Sequence, residues 1–209
     1  MAIFSLDSKF MRFVDQLVDV VVLNLLWLVC CLPIITIGAS TVAAYRVSMR
    51  MIDSEEGYIA KSFFKAFRAN FVQGTMLWLL NAAAVYALYL DWQIVLKSAN
   101  PSIILILVSI LSTVFVFCVF IYSYPLTARY ENTLKRMLEN SLIISVRYFV
   151  KTIILIFVLA LEVGLFMWNL PMQIVGVLVG PMILIYTASG ISKRIFQKIE
   201  SDNASSEEH

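Results

Sequence analysis

Apolar residues in this chain fall into long runs broken by short polar stretches. The runs cover 18–37, 71–90, 102–124, 150–168 and 172–191. A helix needs about 20 apolar residues, at 1.5 Å rise each, to cross the roughly 30 Å hydrocarbon core of a bilayer. The pattern predicts an all-α, polytopic membrane bundle of about five transmembrane helices with amphipathic helices at one face. Residues 1–198 form a single membrane domain on this reading, and the polar tail 199–209 is expected to be disordered. The last two runs are separated only by Asn169, Leu170 and Pro171, which predicts a tight helical hairpin. A short loop around Asp91, Lys97 and Pro101 is expected between the second and third.

The stretches between runs carry a helical period. Ile59, Phe63, Phe67 and Phe71 recur every four residues, with Lys61, Lys65 and Arg68 on the other side. This is the pattern of a basic amphipathic helix at a membrane surface, over 57–71. Leu134, Leu138 and Leu142 repeat the arrangement beside Lys135, Arg136, Glu139 and Asn140, predicting a second surface helix over 129–141. Each stretch passes an arginine, Arg68 or Arg147, and runs into a span, which has the outline of a weak internal repeat. Residues 40–52 are apolar apart from Arg46 and Arg50. Because charges are costly at mid-span, this segment is read as a cytoplasmic or interfacial helix. Pro33 and Gly38 should end the first span before it. Re-entry of 40–52 into the bilayer is the alternative, and would place the N-terminus inside.

Composition agrees with the membrane class. The chain is 61% hydrophobic and 14% charged, with mean hydropathy +0.86, against about 25% charged for soluble domains. Distribution matters more than the net charge of +2. With five spans, 13 of the 16 basic residues fall on one side, in the stretches holding Arg46 to Arg68, Arg129 to Lys151 and Lys193 to Lys198. Lys9, Arg12 and Lys97 fall on the other. The positive-inside rule makes the richer side cytoplasmic, with the N-terminus outside and the C-terminus inside. Such a small net charge gives no reason to expect a nucleic-acid partner.

Candidate chemistry is sparse. The one histidine is His209, and Cys30, Cys31 and Cys118 sit in apolar runs without metal-ligand spacing. No catalytic residue, cofactor or metal is assigned, and the chain is read as non-enzymatic. Glu162 lies inside the fourth run, where a carboxylate must face the bundle interior. It reads either as a protonatable or cation-binding site in a transport path or as a single interhelical hydrogen bond. Asn24 and Asn81 are amides within spans, able to line that path or to join helices. Gly176 and Gly180 make a small-xxx-small pair before Pro181, expected to pack within the chain and to be followed by a kink. Arg46 and Arg50 stand one turn apart and can clamp a phosphate or carboxylate, or meet lipid headgroups.

The segments SLDSKFMRF, NLLWLVCCLPIITIGAST, EEGYIAKSFFKAFRANFVQGT and PLTARYENTLKRMLENSL resemble the YesL-like family, bacterial membrane proteins built on a domain of unknown function. The resemblance implies a multi-pass protein of the bacterial plasma membrane, associated with carbohydrate utilisation and with binding-protein-dependent sugar uptake. It supplies no catalytic residue. The expectation is therefore an accessory of carbohydrate uptake that touches the bilayer and membrane subunits of a sugar transporter. A small solute transporter or channel with an intramembrane carboxylate is the alternative.

Overall fold

The computed structural model describes residues 3–53, 58–98 and 100–207. Gly57, at the start of the first surface stretch, and His209 lie outside them. Among the described residues the chain is helical throughout: α1 (Ile3–Cys31), a 3-10 turn (Ile34–Thr36), α2 (Ile37–Ile52), α3 (Ile59–Ala69), α4 (Phe71–Lys97), α5 (Ile103–Phe120), α6 (Ser123–Arg129), α7 (Leu134–Arg147), α8 (Phe149–Met167) and α9 (Leu170–Glu207). Five segments are long and apolar enough to cross a membrane: Val14–Cys31, Phe71–Lys97, Ile103–Arg129, Phe149–Met167 and Leu170–Asp202. Their outward faces leave large apolar side chains such as Ile103, Ile104, Leu111 and Phe157 exposed, a surface suited to lipid.

The first span stops earlier than its apolar run. Pro33 disfavours helical geometry at Leu32, so α1 ends at Cys31. Thr36 Oγ1 reaches back to the carbonyls of Cys30 and Pro33, 2.6 Å from each, and holds the break. The chain then enters α2, which lies inside the bundle. It touches α1, α3, α4, α6 and α9, and Ala39, Ser40, Val42, Ala43 and Ala44 are fully buried. The segment 40–52 is thus packed within the protein, and it is not among the five segments long and apolar enough to span a membrane. Small residues on several faces of α2 let five neighbours approach its backbone, while Arg46 and Arg50 project from the remaining side. At Gly38 the approach leaves no room for a side chain: a Cβ there would overlap the Gly74 carbonyl oxygen and come within 2.6 Å of the Trp78 Cβ.

Helices α4 and α5–α6 form an antiparallel pair. Gln73 Nε2 donates to the Asn132 carbonyl, Asn81 Nδ2 to Tyr124 Oη and Trp92 Nε1 to Thr113 Oγ1, so partners advance along one helix as they recede along the other. Asp91 and Lys97, expected in a loop, belong to α4. The third span is interrupted at Ile121 and Tyr122. There the Tyr122 N–H donates to Ser141 Oγ instead of the Cys118 carbonyl four residues back. That carbonyl accepts from Ser141 and Ser145 Oγ instead. Side chains inserted into a helical ladder are a recognised cause of a break. Helix α7 thus buries Met137, Ser141, Ile144 and Ser145, a face rotated from the predicted leucine stripe. It also begins at Leu134, five residues later than expected.

Helix α3 matches its pattern more closely: Phe63 and Ala66 are buried, and Lys61, Lys65 and Arg68 are exposed. Both amphipathic helices pass into a span through one distorted residue, Asn70 (φ −108°, ψ 15°) or Tyr148 (φ −109°, ψ 40°). The repeat outline is therefore reproduced as a shared joint. The α8–α9 hairpin forms as predicted, with Asn169 Oδ1 accepting from the Met172 N–H. Gly176 and Gly180 lie against the Phe166 side chain, so this small-residue pair packs within the chain. Helix α9 runs unbroken through Pro181 to Glu207, where a disordered tail was expected from 199 onward.

Candidate functional site

Two kinds of site follow from the sequence: a polar path through the spans, and an anion clamp at Arg46 and Arg50. The structure distributes the first over three separate helix contacts. Fully buried Asn24 meets α9, where its Nδ2 donates to the carbonyls of Val177 and Leu178 at 3.3 and 2.5 Å. Val177 stands four residues before Pro181, whose ring nitrogen carries no hydrogen to bond it. Asn24 supplies the missing donor, which explains an amide at this position without a solute. Asn81 lies between α4 and α6, 3.3 Å from the Tyr124 hydroxyl, on the wall of a largely apolar cavity of about 350 Å³. Glu162 joins α8 to α9, its Oε1 accepting from Thr187 Oγ1 at 2.7 Å. Its Oε2 is buried without a partner among the described residues. Neither Asn24 nor Glu162 lines the cavity beside Asn81.

Arg46 and Arg50, by contrast, share a larger cleft of about 560 Å³ between α2, α3, the start of α4 and the end of α6. Their spacing on α2 places both on its wall. Arg46 is exposed, and its Nη1 donates to the Ala128 carbonyl at 3.0 Å, covering an otherwise open acceptor in the last turn of α6. Arg50 Nη1 approaches Ser62 Oγ on α3 at 3.3 Å. Lys65 and Arg129 add two more cations, and among the described residues Asp53 and Glu131 are lining carboxylates. Asn70 and Gln73, at the start of α4, contribute amides.

Two of these charges are paired with α9. Lys193, only 5% exposed, binds Asp53 and ties α9 to the end of α2. Arg129 meets Glu200 through two parallel bonds of 3.1 and 2.8 Å, the geometry that makes guanidinium–carboxylate pairs strong. Tyr130 donates to the same carboxylate at 2.6 Å. Burial first, and then the Glu200 carboxylate that accepts its bond, push the Tyr130 hydroxyl up to about 12. Asp53 and Arg129 are thus each balanced from outside the cleft. The described wall also gathers Arg46, Arg50 and Lys65 with Glu131.

Sequence reasoning found Arg46 and Arg50 as a pair but not the residues that complete the cleft. Lys65 belongs to the basic side of the amphipathic pattern expected at the membrane surface, and Arg129, Asn70 and Gln73 carry no signal of their own. Their convergence depends on α3 folding back against α2, and on α6 ending beside both.

A family model described as "Protein of unknown function, DUF624" matches residues 20–92. That segment covers α2, α3, the joint at Asn70 and most of α4, and so includes most of the cleft's basic wall. No curated protein matches the chain, and no solved structure does. The chain is thus similar over 20–92 to a family of unknown function, a segment that includes the end of α1 and three of the four helices lining the cleft.

Proposed function

We propose that this chain is a non-enzymatic, multi-pass protein of the bacterial plasma membrane that assists carbohydrate uptake by docking membrane subunits of a sugar transporter. The observation that carries this reading is the segregation of polar groups. Exposed basic residues of α3 and α7 lie outside the spans, among them Lys61, Arg68, Lys135 and Arg136. Within the spans, Asn24, Asn81 and Glu162 serve three unconnected helix contacts. A conducting path needs polar groups in sequence along one route, whereas a docking protein needs them on a face. The Lys and Arg count supports a cytoplasmic location for that face. The carbohydrate assignment rests on the resemblance to the YesL-like family and is associational.

Photo-crosslinkers placed at Lys61, Arg68, Lys135 and Arg136 in native membranes test the proposal. Recovery of a sugar-transporter subunit is the expected result; recovery of lipid alone from all four positions overturns it.

The alternative, a small solute transporter or channel, is favoured by one observation: Glu162 Oε2 is buried without a partner among the described residues, as a site awaiting a proton or cation would be. Reconstituted Glu162→Gln protein should then lose uptake while still inserting and folding. Uptake equal to wild type removes this reading.

A further inference from the structure

We propose that the joint between α7 and α8 is a binding site for the headgroup of an anionic phospholipid, built from Arg147, Tyr148 and Lys151. The residues offered above for transporter docking take no part in it, so the two readings stand or fall separately. The joint is held at membrane depth. Ser141 and Ser145 Oγ donate to the Cys118 carbonyl at 3.3 and 2.7 Å, and Cys118 lies within the spanning segment Ile103–Arg129. Thr152 Oγ1, in the first turn of α8, donates to the Ser145 carbonyl at 3.2 Å. Phe149, the next residue after Tyr148, opens the spanning segment Phe149–Met167. The outer face of the joint is apolar. Ile143, Val146 and Val150 recur at spacings of three and four, away from the buried Ser141, Ile144 and Ser145, and each is more than half exposed. An apolar face at the end of two spans is suited to lipid.

Two cations stand on this face. The Arg147 guanidinium and the Lys151 ammonium both lie over the Tyr148 ring, 5.8 and 5.3 Å from its centroid. Among the described residues neither side chain forms a hydrogen bond or an ion pair. Glu131 and Glu200 border a cleft that Arg147 also borders, but Glu200 is held by Arg129 and Tyr130, and Glu131 forms no pair with Arg147. A cation without a counter-charge is costly beside a hydrocarbon core. Long basic side chains relieve that cost by reaching to the headgroup layer, where tyrosine rings also concentrate. The Tyr148 ring attracts both cations through its face and so fixes where they reach. Arg147 offers a planar fork to phosphate oxygens, and Lys151 adds a compact charge. An anionic headgroup answers both cations, whereas a zwitterionic one brings a cation of its own. With the basic-rich side cytoplasmic, the site faces the inner leaflet, whose anionic lipids attract basic residues at span ends.

Lipid retention by the full-length protein in neutral detergent, read by native mass spectrometry, tests the proposal. Wild-type protein should retain phosphatidylglycerol in preference to phosphatidylcholine. Arg147→Gln and Lys151→Gln should each weaken phosphatidylglycerol affinity by about fivefold, the effect of one basic group near an anionic surface, and leave phosphatidylcholine retention as it was. Arg136→Gln removes a charge from the exposed, polar part of the same helix and should change the affinity by less than about twofold. Equal retention of the two lipids by wild type, unchanged affinity in both joint variants, or a loss in Arg136→Gln as large as theirs overturns the proposal. A second measurement needs no substitution and so does not depend on how a variant folds. Wild-type protein is placed in phosphatidylcholine nanodiscs doped with a phosphatidylglycerol that carries a photoreactive headgroup, and adducts are mapped after illumination. Adducts concentrated on residues 143–151 are expected. Adducts no denser there than around Lys61, Lys65 and Arg68 of α3 overturn the proposal.

Discussion

At Gly38 a single hydrogen side chain decides whether two helices can meet. Its neighbour across the contact is another glycine, Gly74, whose own Cβ would lie 2.7 Å from the Ala39 Cα. Neither clash involves a flexible side-chain end that could move away, so relief requires the helices to separate. Gly38→Ala should lower stability by about 1–3 kcal/mol, the usual cost of overpacking a tight interior, read from unfolding in detergent. Gly164→Ala is the matched control, because no described residue lies within 4 Å of a Cβ there. It should leave stability unchanged or raise it through helix propensity. Equal effects of the two substitutions would show that the α2–α4 contact is looser than described. The same scale separates the candidate residues. Glu162 and Asn81 each make one bond to a hydroxyl, whereas Asn24 answers a defect in another helix's backbone.

Between elements, that last contact explains how α9 stays continuous through Pro181. The proline removes the donor for the Val177 carbonyl, and the α1 amide replaces it across the helix interface. Asn24→Leu should therefore cost about 1–2 kcal/mol by leaving a buried carbonyl unpaired. In a Pro181→Ala background the backbone N–H of residue 181 is restored to Val177, and the same change should cost little or nothing. A double-mutant cycle on unfolding free energies measures the coupling; additive effects would mean that Asn24 holds α1 to α9 for another reason. The break at Tyr122 is handled alike, with Ser141 and Ser145 of α7 taking over ladder bonds. In both cases the irregularity lies in one helix and its remedy in another helix packed beside it. The irregularity at Pro181 is readable, since the proline is plain in the sequence, but the break at Tyr122 falls within an unbroken apolar run. Neither remedy is readable, because an asparagine or serine in an apolar run looks the same whether it binds a solute or a carbonyl.

For the whole molecule, orientation is the property that length and charge argue most directly. Residues after α2 place Lys61, Lys65 and Arg68 before α4, and Lys97 alone at the far end of α4, before α5. In a cysteine-free background, Lys97→Cys should react with a membrane-impermeant thiol reagent in intact cells. Lys65→Cys should react only after permeabilisation. The reverse pattern would invert the molecule and move the basic cleft outside. The burial of α2 leaves this test intact, because both positions follow it.

The amino-acid sequence by itself determined the membrane-type helical class, five helices of spanning length, the tight turn at Asn169 and the buried edge of α3. Each is set by run length or local period, which neighbouring residues encode. Only the tertiary structure decided that α2 is the interior helix around which five others pack. It alone separated Asn24, Asn81 and Glu162, extended α9 to Glu207, and drew Lys65 and Arg129 to Arg46 and Arg50. The physical reason is that the composition of a short helix carrying two arginines does not say which neighbours pack against it. Its burial depends on the small side chains opposite those arginines finding complementary backbones, and on the arginines finding a polar cleft. Both conditions are fixed by residues far away in the chain.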